Sequence, residues 1–133
     1  MQKLKEYVKD FAGWFVLKKR IDASSILFYA HPREVWWCSL GVNIGAEIDG
    51  KHETFERPIL VIRVYKTESL FVLPLTTVPK DDDFHFKIAT ERQTAWAKLT
   101  QGRVISTKRL LRKVDIVDSE QFENLRKALK HTL

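Results

Sequence analysis

The chain has 133 residues, of which 44% are hydrophobic and 30% are charged. This length suits one domain with a single core, and the composition is ordinary for a folded globular protein. No apolar run approaches the roughly 18 residues of a transmembrane helix, and no signal-peptide pattern opens the chain, so we expect neither a membrane protein nor a secreted one. The 23 Lys and Arg residues outnumber the 17 Asp and Glu residues. The resulting net charge of +6 is compatible with a polyanionic partner but does not require one.

A single cysteine, Cys38, bears on both chemistry and location. It cannot form an internal disulfide, which favours a reducing cytoplasm as the location of the protein. Because Cys38 lies in the apolar run 35–38, we expect a small buried side chain and not a nucleophile. The four histidines show no metal-ligand spacing with it or with one another; they are His31, His52, His85 and His131. The sequence therefore predicts neither a metal site nor a cofactor.

Residues 2–22 carry apolar side chains at spacings of three and four, which predicts an amphipathic helix. The apolar positions are Leu4, Tyr7, Val8, Phe11, Trp14, Phe15 and Ile21. Gly13 predicts a kink or a break, and Ser24 with Ser25 predicts the end of the helix. We expect this helix to pack on the rest of the domain or on a partner subunit. Acidic residues interrupt its basic face, which disfavours a membrane surface.

From Glu34 onward the pattern changes to short runs rich in Val, Ile, Leu and aromatic residues, which is typical of β-strands. Strands are predicted at residues 34–40, 59–65, 70–75, 84–88, 94–99 and 114–117. Residues 66–69 have the length of a hairpin loop, and residues 106–111 resemble one helical turn. In the strand at 84–88, His85 is expected on the more solvated face.

The last segment of the chain predicts a helix. Asp118 and Gln121 have the spacing of a capping box, and apolar residues follow at helical intervals. Several short strands around one core with a terminal helix indicate an α+β protein built on a small SH3-like β-barrel. We divide the chain into an N-terminal helical extension, residues 1–30, and a barrel domain, residues 31–133.

Three short motifs occur in a fixed order within the first three strands and their loops. Gly45-Ala46-Glu47 lies in the first loop, Arg57-Pro58 opens the second strand, and Pro74-Leu75-Thr76-Thr77 closes the third. In this order the motifs resemble those of the MazF and PemK toxins, small endoribonucleases of type II toxin–antitoxin systems. The segment 98–110 is also similar to a later motif of that family.

The resemblance implies a sequence-selective endoribonuclease that cleaves single-stranded mRNA without a metal and leaves a 2′,3′-cyclic phosphate. It further implies a homodimer that a cognate antitoxin protein neutralises, and contact with operator DNA only through the antitoxin complex. The alternative is a catalytically silent SH3-like barrel that binds nucleic acid or protein. Architecture alone does not separate these two functions.

The family pattern assigns catalytic roles to three residues of this chain. Arg57 is expected to clamp the scissile phosphate and to donate a proton, because a guanidinium binds phosphate oxygens with two parallel hydrogen bonds. Thr76 is expected to hold the same phosphate, with Thr77 as a second hydroxyl in the substrate site. Glu47 would orient Arg57 or transfer a proton. Taken from the residues alone, Arg57 can equally pair with an acid, and 74–77 can be an ordinary strand end.

The later motif supplies the remaining candidates for substrate contact. Gln101 is expected to bond to the active loop, and Arg103 to contact the RNA backbone or to support the dimer interface. Lys98 stands where some members carry an arginine that assists as an acid. Thr100 stands where several members carry an acidic general base, so the base of this chain is left open. His85 is a substitute to consider, since imidazole titrates near neutral pH.

Overall fold

Two α-helices and seven β-strands form the part of the chain that the structure describes, residues 7–133 of a computed structural model. In chain order they are α1 (Phe11–Ala23), β1 (Glu34–Ser39), β2 (Glu56–Lys66), β3 (Ser69–Thr76), β4 (His85–Ala89), β5 (Thr94–Lys98), β6 (Arg103–Ser106), β7 (Leu110–Ile116) and α2 (Ser119–His131). A single 3-10 turn, Thr107–Arg109, joins β6 to β7. Within residues 7–133 no helix has the length and apolar character that crossing a membrane requires.

The strands pair antiparallel in the order β4-β5-β3-β2-β1-β7, and β6 pairs with the free part of β3. The predicted α+β class, with a helix at each end of the chain, is confirmed. The sheet stays open, because β4 and β7 lie at opposite ends of this order and do not pair with each other in the described chain. Strand β3 is the branch point, since it contacts β2, β5 and β6.

The central strands are buried on both faces, which explains their continuous apolar runs. On β2, Leu60 packs in the core beneath α2, whereas its neighbours Ile59 and Val61 pack in a second core on the other face. Strand β3 alternates in the same way, with Leu73 in the first core and Val72 in the second. Because both faces are covered, a shift of either strand by one residue would move each of its side chains from one core into the other.

Most predicted elements agree with the structure to within a few residues. One exception is the start of α1, and the others lie near β6, a four-residue strand that the sequence analysis missed. Its sequence, RVIS, is polar at both ends and is too short to show a clear alternation of apolar and polar residues. The expected helical turn is present as the shorter Thr107–Arg109, and the last strand begins earlier than predicted, at Leu110. His85, expected on a solvated face, has only 14% of its side chain exposed.

Helix α1 begins later than its apolar pattern suggests. Asp10 caps it, because the side-chain Oδ1 accepts a hydrogen bond of 2.8 Å from the Gly13 amide. Gly13 therefore does not kink the helix but lies in its first turn, where a Cβ atom would collide with the capping carboxylate. Residues 7–10 precede the helix as an irregular segment, and the predicted helical residues 2–6 lie outside the described part of the chain.

One aromatic side chain attaches α1 to the sheet. Trp14 is 7% exposed and packs with its ring centroid 5.7 Å from that of Phe55 and 5.5 Å from the guanidinium of Arg109. The ring lies against Gly41, which has a φ of +89° and leaves no room for a Cβ atom. The expected apolar stripe is otherwise largely uncovered, since Phe15 is 63% exposed.

Replacing Trp14 by Ala should therefore lower the free energy of unfolding by about 3 kcal/mol, because it removes a large buried ring and leaves a cavity. The neighbouring Phe15→Ala is the matched control and should change the free energy by less than about 0.5 kcal/mol. Urea unfolding followed by circular dichroism measures both values. Equal effects of the two substitutions would show that α1 is not attached through Trp14.

The Cys38 thiol should be unreactive in the folded protein. The side chain is fully buried, and this burial raises its pKa to about 12 although Arg109 and Arg103 act in the opposite direction. The thiol is therefore neutral at about pH 8.5, where a free cysteine is half ionised. Iodoacetamide at that pH should modify Cys38 only after denaturation, as measured by mass spectrometry. Rapid alkylation of the native protein would contradict the buried position.

Candidate active site

Arg57 and Thr76 come together at one end of the β2–β3 pair. Ile59 of β2 lies opposite Pro74 of β3 in the antiparallel ladder, and just beyond this pair Arg57 donates a hydrogen bond to the carbonyl of Leu75, the neighbour of Thr76. On its other side Arg57 is paired with Cys38 of β1. The two polar residues predicted from separate motifs thus share one strand end, although 18 residues lie between them in the chain.

Arg57 is held by backbone carbonyls on both sides. Its Nε donates to the carbonyl oxygen of Asp49 at 2.7 Å, and its Nη1 donates to that of Leu75 at 3.2 Å. No carboxylate among residues 7–133 forms an ion pair with it, so the simple alternative of an Arg–acid pair does not apply to the described chain. Two of its five N–H donors are used, which leaves Nη2 for an added acceptor. Burial lowers the pKa of Arg57 from its ordinary value, and the nearby Asp49 opposes this shift.

The two threonines follow directly. Thr76 is half-buried and its Oγ1 accepts a hydrogen bond of 3.2 Å from the Val78 amide, so the hydroxyl proton is available to donate. Thr77 is exposed. The bond to Val78 holds the Thr76 hydroxyl at the strand end.

These residues line a pocket with a volume of about 200 Å³, which we call the Arg57 pocket. Its lining consists of Trp37, Lys51, His52, Glu56, Arg57, Pro58, Leu75, Thr76, Thr77, Val78 and Gln93. Glu56 is engaged elsewhere, because both of its oxygens accept from Arg112 at 3.2 and 3.3 Å. The pocket therefore presents Arg57 and Lys51 together with the imidazole of His52. The sequence analysis assigned no role to Lys51 or His52. Their position shortly before the Arg57-Pro58 motif is the one signal in the sequence that could have indicated a place in this pocket.

Glu47 lies elsewhere than expected. Its Oε1 accepts a hydrogen bond of 2.9 Å from the Ile44 amide, within the loop, and the structure shows no bond from it to Arg57. The residue that orients Arg57 is Asp49, two positions later, and it does so through its backbone carbonyl. Loop geometry explains the difference. The turn at residues 44–47 folds the Glu47 side chain back on its own backbone, whereas residue 49 runs beside β2.

Gln101 bonds to the loop as the family pattern suggests. Its Oε1 accepts from the Ile48 amide at 3.2 Å and its Nε2 donates to the Ala46 carbonyl at 3.2 Å. A second pocket with a volume of about 520 Å³ lies here and is lined by Asn43, Ala46, Glu47, Ile48, Thr100, Gln101, Gly102 and Arg103. Glu47, Gln101 and Arg103 are therefore brought together, but in a site separate from the Arg57 pocket. Thr100 is exposed in it.

Lys98 lies between charged neighbours near the Arg57 pocket. Burial is the first cause that lowers its pKa, followed by the cations Lys80 and Arg57, while Asp82 acts in the opposite sense. Its Nζ is 3.4 Å from Nε2 of His85, and Nδ1 of that ring is 2.7 Å from Asp82. His85 is thus part of an Asp82–His85–Lys98 chain of polar contacts and does not line the Arg57 pocket.

Arg109 lies in the segment 98–110, which is similar to the later motif of the family, and it contacts the end of β1. Its Nη1 donates to the carbonyls of Ser39 and Leu40 at 3.2 Å each, and its guanidinium stacks on Trp14. These contacts fix the end of β1 where the loop of residues 41–50 begins. Arg109 therefore holds the base of this loop in place.

Several solved structures share this fold. MazF from Deinococcus radiodurans (Form-I) has a TM-score of 0.66 at 14% identity, with 79% of this chain and 96% of that chain covered. An endoribonuclease from a Mycobacterial species has a TM-score of 0.60 at 12% identity, with 80% and 93% covered. An endoribonuclease in complex with its cognate antitoxin, also from a Mycobacterial species, has a TM-score of 0.58 at 13% identity, with 77% and 92% covered. No curated protein sequence is significantly similar to this chain.

At these identities the structural likeness establishes the fold alone, so the family has to come from the sequence. Residues 31–133 match the sequence profile described as "PemK-like, MazF-like toxin of type II toxin-antitoxin system". That range contains all of the sequence motifs described above, including those that supply Arg57, Thr76 and Gln101. The chain therefore belongs to the family of PemK-like, MazF-like toxins of type II toxin–antitoxin systems.

Proposed function

We propose that this protein is a metal-independent endoribonuclease toxin that cleaves single-stranded mRNA in the Arg57 pocket. The observation that carries the proposal is the state of Arg57, a half-buried cation that is held by the carbonyls of Asp49 and Leu75 and that forms no ion pair with any carboxylate of residues 7–133. A buried cation without a counter-ion is unfavourable unless an anion completes the site. A phosphodiester supplies that anion. Thr76, which lines the same pocket, supplies an uncharged donor to the same phosphate.

The reaction that fits these groups is an internal transesterification. The ribose 2′-oxygen attacks the adjacent phosphorus, the new O2′–P bond forms, and the P–O5′ bond breaks. The 2′-hydroxyl loses its proton to a base and the departing 5′-oxygen gains one from an acid. Charge accumulates on the phosphorane oxygens, where Arg57 and the Thr76 hydroxyl donate hydrogen bonds that strengthen in the transition state. The products are a 2′,3′-cyclic phosphate and a 5′-hydroxyl.

His52 and Lys98 are the side chains proposed to move protons. An imidazole accepts and donates protons near neutral pH, and His52 lines the Arg57 pocket. The lowered pKa of Lys98 makes its ammonium a better proton donor than an ordinary lysine. Glu47, which is bonded within its own loop, is proposed to shape substrate access together with Gln101 and Arg103.

The partners of the protein follow from the same proposal. Single-stranded RNA is the substrate, because its unpaired bases can be read at their edges and stacked on aromatic rings, which an A-form duplex does not permit. Solved structures of the same fold include toxin–antitoxin complexes, which supports a cognate antitoxin as inhibitor. We further propose a cytoplasmic homodimer that reaches operator DNA only when the antitoxin is bound.

Replacing Arg57 by Ala should lower the cleavage rate by roughly a hundred- to a thousandfold, equivalent to about 3–4 kcal/mol of transition-state stabilisation. Arg57→Lys should recover only part of this, because an ammonium cannot reproduce the fork of the guanidinium. Single-turnover cleavage of a labelled RNA measures the rates. Arg63→Ala is the matched control, since Arg63 lies exposed on the same strand.

In the same assay Thr76→Ala should also be strongly impaired, whereas Thr100→Ala should cleave normally. Circular dichroism should show that all variants are folded. Wild-type rates from folded Arg57→Ala would place the active site elsewhere, with His85 the next residue to test. A wild-type protein that binds RNA but never cuts it would instead support the catalytically silent module.

Cleavage should continue in excess EDTA and should leave a 2′,3′-cyclic phosphate and a 5′-hydroxyl. The chemical reason is that the ribose hydroxyl is the nucleophile and that Arg57 supplies the charge stabilisation a metal would otherwise provide. Within residues 7–133 no three His, Cys, Asp or Glu side chains gather into a candidate metal site. Mass spectrometry of the fragments identifies their ends. Activity that vanished with chelator and returned with magnesium would overturn this mechanism.

A further inference from the structure

The segment that precedes α1 contacts the loop of residues 41–50, although it lies outside the part of the chain that matches the toxin family. Lys9 makes the most contacts. Its Nζ donates to the carbonyl oxygens of Asn43 at 2.6 Å and Gly45 at 3.1 Å, and it lies 3.3 Å from Oδ2 of Asp49. A lysine ammonium has three N–H donors, and these three acceptors account for all of them.

This contact is largely shielded from water. The Lys9 and Asp49 side chains are 20% and 10% exposed, so their attraction is screened less than that of a surface pair. Lys9 also joins both ends of the loop, because Asn43 lies at its start and Asp49 at its end. A cation that binds two ends of a loop resists any motion that separates them.

Asp49 connects this contact to the active site. Its carboxylate accepts from the Asn43 amide at 2.6 Å and from the Tyr7 hydroxyl at 3.1 Å, in addition to the Lys9 ion pair. Its own carbonyl oxygen accepts the 2.7 Å bond from Nε of Arg57. The side chain of Asp49 is therefore fixed by the N-terminal segment while its backbone fixes the guanidinium. Asp49 therefore links Lys9 to Arg57.

We propose that Lys9 is a positioning residue for Arg57, acting through Asp49, and that the N-terminal segment is thereby a working part of the active site. This inference rests on the proposed function of Arg57 as the phosphate clamp. According to this proposal, Lys9, which precedes the residues that match the toxin family, affects the rate of the reaction. The direction of the guanidinium matters because a displacement of about 1 Å at a reacting group can cost a hundredfold in rate.

Other contacts keep the loop and the helix in place when Lys9 is changed. Asn43 Nδ2 donates to the Ile48 carbonyl at 2.8 Å, and Gln101 binds the loop from the other side. Helix α1 is attached through Trp14 and Arg109. Removal of the ammonium alone should therefore relax Asp49 and Arg57 without unfolding the domain.

The test uses Lys9→Met in the full chain, which keeps the aliphatic stem and removes the charge. We expect kcat to fall by about tenfold to a hundredfold with little change in KM, because Arg57 stabilises charge in the transition state. Lys9→Arg should restore part of the loss. Lys18→Met is the control, since Lys18 is exposed on α1 and has no hydrogen bond or ion pair in the described chain.

A double-mutant cycle separates positioning from direct RNA binding. If Lys9 acts through Arg57, Lys9→Met should add no further loss to the residual activity of Arg57→Ala. If Lys9 instead bound an RNA phosphate, the loss would persist in that background and would be a rise in KM that weakens with salt. That second pattern would overturn the proposal. Equal activity of Lys9→Met and wild type would overturn it as well.

A measurement without RNA keeps the inference distinct from the proposed function. The Nε–H of Arg57 should give a slowly exchanging resonance in the 1H–15N NMR spectrum, because it is bonded to Asp49. Lys9→Met should move this resonance and speed its exchange with water, whereas Lys18→Met should leave it unchanged. An unchanged resonance in Lys9→Met would refute the positioning role. An inactive wild type with the expected NMR change would refute the proposed function but support the link from Lys9 to Arg57.

Discussion

The structure of the site depends on two hydrogen bonds from Arg57 to the backbone, one to Asp49 and one to Leu75. A carboxylate in the same place would neutralise the cation and weaken its attraction for an added anion. Carbonyl oxygens fix the direction of the guanidinium with partial charges only, so most of the positive charge remains. Burial lowers the pKa of Arg57, and the nearby Asp49 opposes this shift only in part, which is the cost of holding the cation there. In the proposed function, the phosphodiester of the substrate would offset that cost.

The two carbonyls come from parts of the chain that must each be held in place. Leu75 belongs to β3, whose position is set by the two-sided packing of β2 and β3. Asp49 belongs to a loop, residues 41–50, that forms no strand in the described chain, and contacts from outside the loop hold it in place. Gln101, Arg109, Lys9 and Tyr7 each reach it or its base from a distant point in the sequence. One half of the site is therefore formed by a strand and the other half by a loop.

The N-terminal extension joins that loop in two ways. Trp14 fills the space over Gly41 and stacks on Arg109, so the helix covers the point where β1 becomes loop. Lys9 then binds the far end through Asp49. A family core that begins near residue 31 is thus supplemented by residues that precede it. The exposed aromatic side chains of α1 take no part in these contacts.

The sequence alone predicted six of the seven strands and the capped C-terminal helix, and it singled out the motif residues Arg57, Thr76 and Gln101, because local patterns and ordered motifs are properties of neighbouring residues. It could not determine which acidic residue serves Arg57. Glu47 matched a motif, but the bond comes from the carbonyl of Asp49, an atom that every residue type possesses. The roles of Lys9 and Trp14 also depended on the tertiary structure, since their partners lie more than twenty residues away. Backbone acceptors and long-range contacts leave no pattern in a single sequence, and only the folded chain brings them together.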